Sequence, residues 1–359
     1  MEDRYLRVSF VMLGLKDYST GGYILNHQMV DALRAAGHQV DVIHYRTIPS
    51  GCRGSRLKGS FHVLRRVLAE KPDLLVVSKS YSFMIPLRLA LYVLDIPLLY
   101  MVHHLEWHDR SGEASGFRKG MVKWFLGRAD RIWVNSRCTA SDVVSLGISP
   151  DILEVVPPGL DDFPVKPYSE RELPLRIISV GTVCPRKDQL TLVRACGIIR
   201  ELDFVLEILG DESADPDYSA AVREAAEAAG IWNKTIFSGH VSRGDLEKKY
   251  SDSHVLANLS RWEGYGMAAA EALRAGIPVV AADAGAVPEL VTSGENGFLV
   301  EPGNAAETAS RLQELLTDEE LRKRMADDAL RKGRGLNTWK ASKAALVRLS
   351  VETAFGKVR

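Results

Sequence analysis

A glycine-punctuated loop that runs into an alanine-rich helix carries the residue types that can hold a sugar nucleotide at two points. In the sequence RWEGYGMAAAE, two carboxylates, Glu263 and Glu271, stand eight residues apart. Gly264 and Gly266 permit a tight backbone whose N–H groups can approach an anion, and the run from Met267 predicts a helix whose positive end faces that loop. The alternative is a helix-capping carboxylate and a solvated one, and spacing alone favours neither.

A pair of cations follows a predicted strand earlier in the same half of the chain. The strand at 176–180 leads into Gly181 and Thr182, and then into Arg186 and Lys187 just before a predicted helix. A guanidinium and an ammonium there could neutralise a departing diphosphate, with arginine acting as a fork and lysine as a point charge. Adjacent basic residues are also common on surfaces, but the position at the carboxyl end of a strand favours a binding role.

A weaker signal, a pair of glycines, lies in the first half of the chain. Gly21 and Gly22 follow the first predicted strand and precede a predicted helix from Tyr23, so the backbone there can approach a phosphate or an acceptor. They lack the spacing of a dinucleotide-binding fingerprint and could form a plain turn.

Histidines follow another predicted strand, at 98–102. His103 at the exit of that strand could donate a hydrogen bond to a sugar hydroxyl or take a proton. Together with His104 and His108 it does not form an established metal-ligand spacing, so no metal site is predicted.

The elements that must position these residues alternate between short apolar runs and helical patterns in both halves. This alternation is typical of parallel sheets covered by helices. A proline-rich segment at 157–164 separates the alternating elements of the first half from those of the second half and is interpreted as an interdomain linker. We therefore predict an α/β protein with two doubly wound Rossmann-like domains facing across a cleft: an acceptor-binding domain at 1–165, a nucleotide-sugar-binding domain at 166–337, and a closing helix at 338–359 that returns to the first domain.

Composition narrows the class of partner. The 359 residues include 46 basic and 46 acidic ones, which gives no nucleic-acid signal. Basic residues are concentrated at Arg53–Lys71 and Arg110–Arg137, which could form a face for an anionic lipid or acceptor, or two solvated helix faces. The apolar stretch Tyr81–Val102 is interrupted by charges and prolines, and is interpreted as a buried helix followed by a strand rather than a membrane span.

The N-terminus and the cysteines point to a cell compartment. The first residues are acidic and unlike a signal peptide. The four cysteines show neither metal-ligand nor paired spacing, which favours reduced thiols. We expect a cytoplasmic protein, acting at the inner face of the membrane if the basic stretches bind lipid.

Taken together, these motifs resemble the retaining nucleotide-sugar glycosyltransferases of family 4, which have the GT-B fold. The resemblance runs along almost the whole chain and is most specific in the second half. The motifs that carry it there are Ser179–Lys187, Ile208–Asp211, Phe237–Val241, Glu263–Gly266 with Glu271, Ala275–Val280 and Gly294–Val300.

The resemblance implies roles for single residues. Glu271 would hold the ribose hydroxyls, Glu263 and the backbone of Gly264, Tyr265, Gly266 and Met267 would hold the transferred sugar, and Arg186 and Lys187 would carry the diphosphate. The remaining contacts fall on Gly21 and Gly22 (donor phosphate or acceptor), His103 (the sugar near the reacting centre), Gly181 and Thr182 (donor), and the segment containing Val241 (base). Many members carry arginine at the position of Thr182, so one phosphate contact is missing here or is supplied by Arg186.

The implied reaction is a metal-independent transfer, without a cofactor, of a hexosyl unit with retention of configuration. The donor would be a UDP-sugar or GDP-mannose, and the acceptor a glycan or lipid-linked molecule of cell-surface polysaccharide or glycolipid synthesis. Three alternatives stay open: a nucleotide-sugar epimerase, a phosphorylase, and a non-catalytic nucleotide-sugar-binding partner. A pyridoxal-type phosphorylase would need a Schiff-base lysine that the sequence does not identify.

Overall fold

The computed structural model describes residues 5–13, 21–45, 53–78, 94–105, 107, 115–162, 166 and 171–356, without the side chains of 13, 45 and 53–60. The chain divides into two compact units. The N-terminal unit comprises residues 1–108, 112–159 and 338–359, and the C-terminal unit comprises 109–111 and 160–337. Within the described ranges, no helix has the length and apolar character needed to cross a membrane.

The N-terminal unit is built on a parallel sheet. Its described strands are β1 (Arg7–Leu13), β2 (Gln39–Tyr45), β3 (Leu74–Ser78), β4 (Leu98–Val102), β5 (Arg131–Val134) and β6 (Leu153–Val155). They are ordered β2-β1-β3-β4-β5-β6, with parallel pairing throughout. The central strands β3 and β4 are buried along their whole length, which is why they read as continuous apolar runs.

Helices cover both faces of this sheet. Those described are α1 (Gly21–Ala35), α2 (Arg53–Glu70), α3 (Gly116–Leu126), α4 (Arg137–Ser145) and the C-terminal α11 (Trp339–Phe355). Leu346 and Leu349 of α11 are buried in one core with Met29 of α1 and Phe10 of β1. The last helix of the chain therefore completes the core of its first unit.

The C-terminal unit contains a second parallel sheet. Its strands are β7 (Leu175–Val180), β8 (Phe204–Leu209), β9 (Thr235–Gly239), β10 (Val255–Asn258), β11 (Val279–Ala282) and β12 (Gly297–Val300). Its helices are α5 (Gln189–Ile198), α6 (Pro216–Ala228), α7 (Arg243–Ser251), α8 (Met267–Arg274), α9 (Ala305–Thr317) and α10 (Glu319–Arg334). The strand order is β12-β11-β10-β7-β8-β9, so the direction of winding reverses between β7 and β10.

These two doubly wound sheets confirm the predicted fold class. The sequence pattern predicts strands at Arg7–Leu13, Leu74–Ser78, Leu98–Val102 and Phe204–Leu209 and a helix at Met267–Arg274, and β1, β3, β4, β8 and α8 have these bounds. It also predicts helices from Asn304, from Asp318 and from Thr338. These residues are the N-caps of α9, α10 and α11, and their side-chain oxygens accept from the first helical turn.

Other predicted elements need correction. Helix α1 begins at Gly21, so Gly21 and Gly22 form its first turn rather than a loop before it. A basic helix is predicted near Phe61–Glu70, but α2 begins well before it, at Arg53. Helix α3 lies in the Arg110–Arg137 stretch, where a solvated helix face is one of the two expectations. The helix predicted within Tyr81–Val102 lies largely outside the described residues, whereas the strand that follows it is present as β4.

Candidate functional site

The candidate donor site lies at the point in the C-terminal sheet where the winding reverses. Strands β7 and β10 are hydrogen-bonded parallel neighbours, so the loops that follow them emerge at the same edge. One loop carries Arg186 and Lys187, and the other carries Glu263. Ligands of doubly wound sheets bind in the crevice outside such a switch point, because neighbouring loops there diverge to opposite faces.

Two glycines allow the loop after β7 to pack tightly. Gly181 has φ +143°, and a Cβ there would lie 2.9 Å from Cε of Lys187. Gly210, after β8, has φ +157°, and its Cβ would lie 2.0 Å from the carbonyl oxygen of Gly181. Side chains at these positions would displace the lysine or the backbone, so glycine is required for the observed loop.

Lysine and glutamate meet across the two loops. Nζ of Lys187 donates to Oε1 of Glu263 at 2.5 Å, and the Arg186 guanidinium lies 3.7 Å from Oε2. The two loops are also joined through the backbone, since Arg186 Nη1 donates to the carbonyl of Trp262 and the N–H of Arg261 donates to the carbonyl of Arg186. The cations and the carboxylate thus form one rigid group.

The charge state of Glu263 follows from these neighbours. Burial raises the pKa of its carboxyl, but the charges of Lys187 and Arg186 and the hydrogen bonds outweigh burial and lower the pKa from 4.5 to about 2. The group is therefore anionic at neutral pH, with its acceptor positions partly used by the two cations. A substrate phosphate arriving here would meet cations that already balance one carboxylate.

The backbone of Glu263 is held by a third loop. The N–H of Ala286 donates to the carbonyl of Glu263 at 2.9 Å. Gly285 has φ +59°, and a Cβ there would lie 2.2 Å from that same carbonyl oxygen. Gly266, with φ +95°, then turns the chain into α8, which begins at Met267.

Glu271 belongs to a separate group on α7 and α8. The Arg243 guanidinium lies 2.7 Å from its Oε1, and the Tyr250 hydroxyl donates to its Oε2 at 3.1 Å. Burial raises the pKa of Glu271 and outweighs the lowering effect of Arg243. Burial likewise raises the pKa of Tyr250 well above its ordinary value, so the phenol remains a donor.

The other residues predicted to contact the donor in this unit include Thr182, Tyr265 and Val241. The carbonyl of Thr182 accepts from Nε2 of Gln189 at 3.2 Å, which ties the loop after β7 to the start of α5. Tyr265 is buried, and burial raises its pKa to about 12. Val241 follows β9 and packs against the core below α8, two residues before Arg243.

The N-terminal unit holds the candidate histidine. Nε2 of His103 lies 3.1 Å from both the Ser78 hydroxyl and Oδ1 of Asn26, and the Ser78 hydroxyl donates to that same Oδ1 at 2.9 Å. The His103 ring packs edge-on against Trp133, and a Cβ on Gly22 would touch it at 3.5 Å. The cluster lies at the carboxyl edge of the sheet, where β3 and β4 end.

The other two histidines do not extend this cluster in the described part of the chain. His104 is half-buried beside His103, and His108 lies outside the described residues. No group of three metal-ligand side chains is present among the described residues.

Sequence reasoning missed four residues that contact the predicted ones. Asn26 and Ser78 lie on elements predicted only as core, and Arg243 and Tyr250 lie on a helix assigned no role. The one available signal was that Arg243 comes two residues after Val241, the end of the segment assigned to the base. The predicted cations and Glu263 were expected to bind different parts of a donor, whereas the structure shows that they bind each other.

Two family descriptions match the chain in succession. Glycosyltransferase Family 4 matches residues 21–162, and Glycosyl transferases group 1 matches residues 165–332. These ranges contain all the candidate site residues of the two units.

Related proteins are named as glycosyltransferases. The chain is 29% identical over 277 residues to D-inositol 3-phosphate glycosyltransferase of Corynebacterium glutamicum, and this alignment covers 70% of this chain and 65% of that protein. It is 28% identical to MMP alpha-(1->4)-mannosyltransferase of Mycolicibacterium hassiacum, over 71% of this chain and 65% of that protein. The matched part of the chain thus spans 65% of the length of each of these relatives.

Solved structures match over nearly the full length. Sucrose-phosphate synthase from Thermosynechococcus elongatus superposes with a TM-score of 0.81 at 19% identity, covering 96% of this chain and 98% of that one. Anabaena HepE in complex with UDP-glucose superposes with a TM-score of 0.77 at 18% identity, with the same coverage. The likeness shows that this chain has the GT-B fold. Because the two family descriptions match in succession over residues 21–162 and 165–332, the chain belongs to the glycosyl transferases of group 1 and family 4.

Proposed function

We propose that this protein transfers a hexosyl unit from a nucleoside diphosphate sugar to a hydroxyl of a glycan or lipid-linked acceptor, with retention of anomeric configuration. The observation that carries the proposal is the group formed by Lys187, Arg186 and Glu263 at the switch point of the C-terminal sheet. It combines cations for a diphosphate with an anion for sugar hydroxyls in one rigid arrangement.

The cations supply the main chemical effect in this proposal. A glycosyl bond to a diphosphate breaks through an oxocarbenium-like state in which negative charge grows on the leaving phosphate. Lys187 and Arg186, fixed before the reaction by Glu263 and by the Trp262 carbonyl, stabilise that charge without reorganising. The leaving phosphate oxygen, on the same face as the incoming acceptor, takes the acceptor proton.

The remaining donor contacts are proposed from the family resemblance. Glu263 and the backbone of Gly264–Met267 bind the sugar hydroxyls, and Glu271 accepts from the ribose hydroxyls. The loop of Gly181 and Thr182 and the segment of Val241 lie beside the diphosphate and the base. Within the N-terminal unit, His103, with Gly22 beside it on α1, and the backbone of Gly21 and Gly22 bind sugar or acceptor. No metal or cofactor is required for these steps.

A UDP-sugar or GDP-mannose is the proposed donor. The HepE structures are complexes with UDP, UDP and glucose, and UDP-glucose, and one matched relative is named as a mannosyltransferase. The relatives named D-inositol 3-phosphate glycosyltransferase support an anionic, hydroxyl-rich acceptor.

A cytoplasmic site at the membrane face fits the surface of the N-terminal unit. On α3, the Phe117 side chain is 82% exposed, and Lys119 and Lys123 are exposed on the same helix. An exposed aromatic ring among lysines suits the interface of an anionic bilayer. We propose that a lipid-linked acceptor of cell-surface glycan or glycolipid synthesis is met there.

Ligand binding followed by product analysis tests this function. UDP, GDP and ADP are compared by thermal shift, where a ligand at about 100 times its Kd adds about 2.7 kcal/mol. The sugar nucleotide of the stabilising base is then incubated with candidate acceptors, and the linkage in the product is read by NMR. An inverted anomeric centre contradicts the retaining mechanism.

The same experiment separates the other candidate functions. Conversion of the donor to a new sugar nucleotide without acceptor identifies an epimerase. Nucleotide binding with no turnover for any acceptor identifies a non-catalytic binding partner, which the paired Lys187 and Glu263 make the weaker candidate.

A further inference from the structure

The carboxylate of Glu271 is almost completely buried, with a side-chain exposure of 9%. Burying a carboxylate is costly unless a cation and hydrogen-bond donors compensate it. Two side chains of α7 do so, since Arg243 lies 2.7 Å from Oε1 and Tyr250 donates to Oε2. The partners approach different oxygens and therefore fix the orientation of the carboxylate plane.

Arg243 is itself held by two further carboxylates. Its Nη2 lies 3.0 Å from Oδ2 of Asp161, and its Nε lies 3.4 Å from Oε1 of Glu247. Burial lowers the pKa of Arg243, but the neighbouring carboxylates, above all Glu271, outweigh burial and raise it. The guanidinium is thus a fixed, permanently charged group.

The hydrogen bonds described for Glu271 leave part of its capacity unused. A carboxylate offers about four acceptor positions, and Arg243 and Tyr250 use one on each oxygen. One position on each oxygen suits a pair of hydroxyl donors on adjacent carbons. A ribose 2′,3′-diol presents such a pair.

We propose that Arg243 and Tyr250 are positioning residues that keep Glu271 ionised and oriented as the acceptor for both ribose hydroxyls of the donor nucleotide. The proposal rests on the proposed function, which places the ribose at Glu271. It assigns the two residues of α7 a part in nucleotide recognition without contact to the nucleotide.

The proposal predicts a pH dependence that a merely structural pair would not produce. The groups that face Glu271 are Arg243 and Tyr250 from α7 and Asp161, whose negative charge raises the pKa of Glu271. Glu247 acts through Arg243. Without the guanidinium, the Tyr250 hydrogen bond alone among these groups opposes burial and Asp161, so the pKa of Glu271 rises further. A protonated Glu271 loses acceptor capacity, so nucleotide affinity falls as the pH falls through that pKa.

Nucleotide binding is measured by calorimetry with UDP and GDP and their 2′-deoxy analogues, between about pH 5.5 and pH 8.5. The variants are Arg243→Gln, Tyr250→Phe, Glu271→Gln and the double variant Arg243→Gln/Glu271→Gln. Arg223→Gln is the matched control, because Arg223 pairs with Glu212 at a similar exposure on the same unit.

The terminal phosphate of UDP or GDP itself loses a proton near about pH 6, so each variant is compared with the wild type at the same pH. Arg243→Gln should weaken binding by about tenfold at neutral pH, and further at acid pH, since a hydrogen bond to a charged group is lost from the ribose. Tyr250→Phe should weaken binding by less. In the Glu271→Gln background the same arginine change should reduce nucleotide affinity by less than about twofold. The loss of affinity caused by Arg243→Gln alone should be smaller for the 2′-deoxy analogues than for the parent nucleotides.

Three outcomes overturn the proposal. The first is an Arg243→Gln variant that binds nucleotide with the affinity and pH profile of the wild type. The second is an Arg243→Gln variant that binds more tightly, which would make Arg243 a competitor of the ribose. The third is an equal loss of affinity from the arginine change in the Glu271→Gln background, which would show an effect on folding alone. By contrast, a wild-type protein that binds no nucleoside diphosphate contradicts the proposed function itself.

Discussion

Lys187 and Glu263 are 76 residues apart in the chain, yet their side chains form a direct ion pair in the C-terminal unit. Both are largely buried, with side-chain exposures of 15% and 11%. The pair exists because β7 and β10 are neighbours in the sheet and end at the same edge. It joins the group proposed to stabilise the diphosphate to the group proposed to bind the sugar.

Replacing Lys187 should lower turnover more than substrate binding. In Lys187→Met, the charge that grows on the leaving phosphate loses a preorganised partner, and kcat should fall by about 10²–10³ with a smaller change in KM. Initial rates of transfer over a range of donor concentrations measure both constants. Arg223→Gln, which removes a surface ion pair of the same unit, should leave both unchanged. A loss confined to KM would argue against a role in the transition state.

The same substitution should destabilise the fold, and a second one should restore it. Lys187→Met leaves a buried carboxylate without its nearest cation, at a cost of about 3–5 kcal/mol. Lys187→Met/Glu263→Gln removes the uncompensated charge and should recover most of the stability but none of the activity. Hydrogen exchange of the amides in α8 follows the C-terminal unit alone. Equal protection in the single and double variants would contradict this explanation.

Glu263 should make the C-terminal unit sensitive to acid. Its pKa is lowered in the folded state from 4.5 to about 2. Its contribution to the free energy of unfolding is therefore present above about pH 4.5 and is lost as the pH falls toward about 2. The difference corresponds to about 3 kcal/mol. The stability difference between the wild type and Glu263→Gln, from denaturant unfolding followed by the same amide protection, should shrink over this range. A difference that does not change with pH would exclude the ion pair as its source.

Gly285 should be essential to the site for reasons of space. In Gly285→Ala the new Cβ would lie 2.2 Å from the carbonyl oxygen of Glu263, so the loop must move and Glu263 with it. Gly303→Ala is the matched control, because Gly303 has a similar positive φ of +81° but no atom within 4 Å of its Cβ. The control should lose only about 1 kcal/mol from backbone strain, while Gly285→Ala should lose more and also lose activity. Similar melting temperatures and rates for the two variants would contradict this prediction.

The hydrogen bonds of His103 predict its tautomer. Since the Ser78 hydroxyl donates to Oδ1 of Asn26, both atoms that face Nε2 of His103 act as acceptors, and Nε2 carries the proton. Long-range ¹H–¹⁵N correlation spectra should show a protonated Nε2, and Asn26→Leu should shift the balance of tautomers. Ser78→Ala should leave Nε2 protonated, because Asn26 still accepts. An unprotonated Nε2 in the wild type would overturn the assignment.

The sequence predicted the parts of this structure that depend on local patterns. Alternating apolar and helical segments indicated both sheets, and the alanine-rich run gave the bounds of α8. The positions of glycine and charge after strands pointed to the loops of Lys187 and Glu263. These signals are readable because they arise from backbone periodicity and from steric needs within a few residues.

Long-range pairings were not predictable in the same way. Arg243 meets Glu271 across 28 residues, and His103 meets Asn26 across 77. Arg243 and Asn26 look like ordinary polar helix positions in the sequence. Only the packing of two helices, or of a helix on a sheet, brings them to Glu271 and His103. The start of α1 at Gly21 was missed because glycine is disfavoured in helices, whereas here the first turn lies against the His103 ring.

The last helix has a consequence for biosynthesis. The C-terminal unit enters and leaves at adjacent points, since the N–H of Leu160 donates to the carbonyl of Asn337, and it is thus an insertion within the N-terminal unit. Leu346 and Leu349 of α11 fill the core around Phe10, and the Ser342 hydroxyl donates to the carbonyl of Pro157. The N-terminal unit therefore cannot complete this core until α11 has left the ribosome, whereas the inserted unit is synthesised before α11 and has the opportunity to fold earlier.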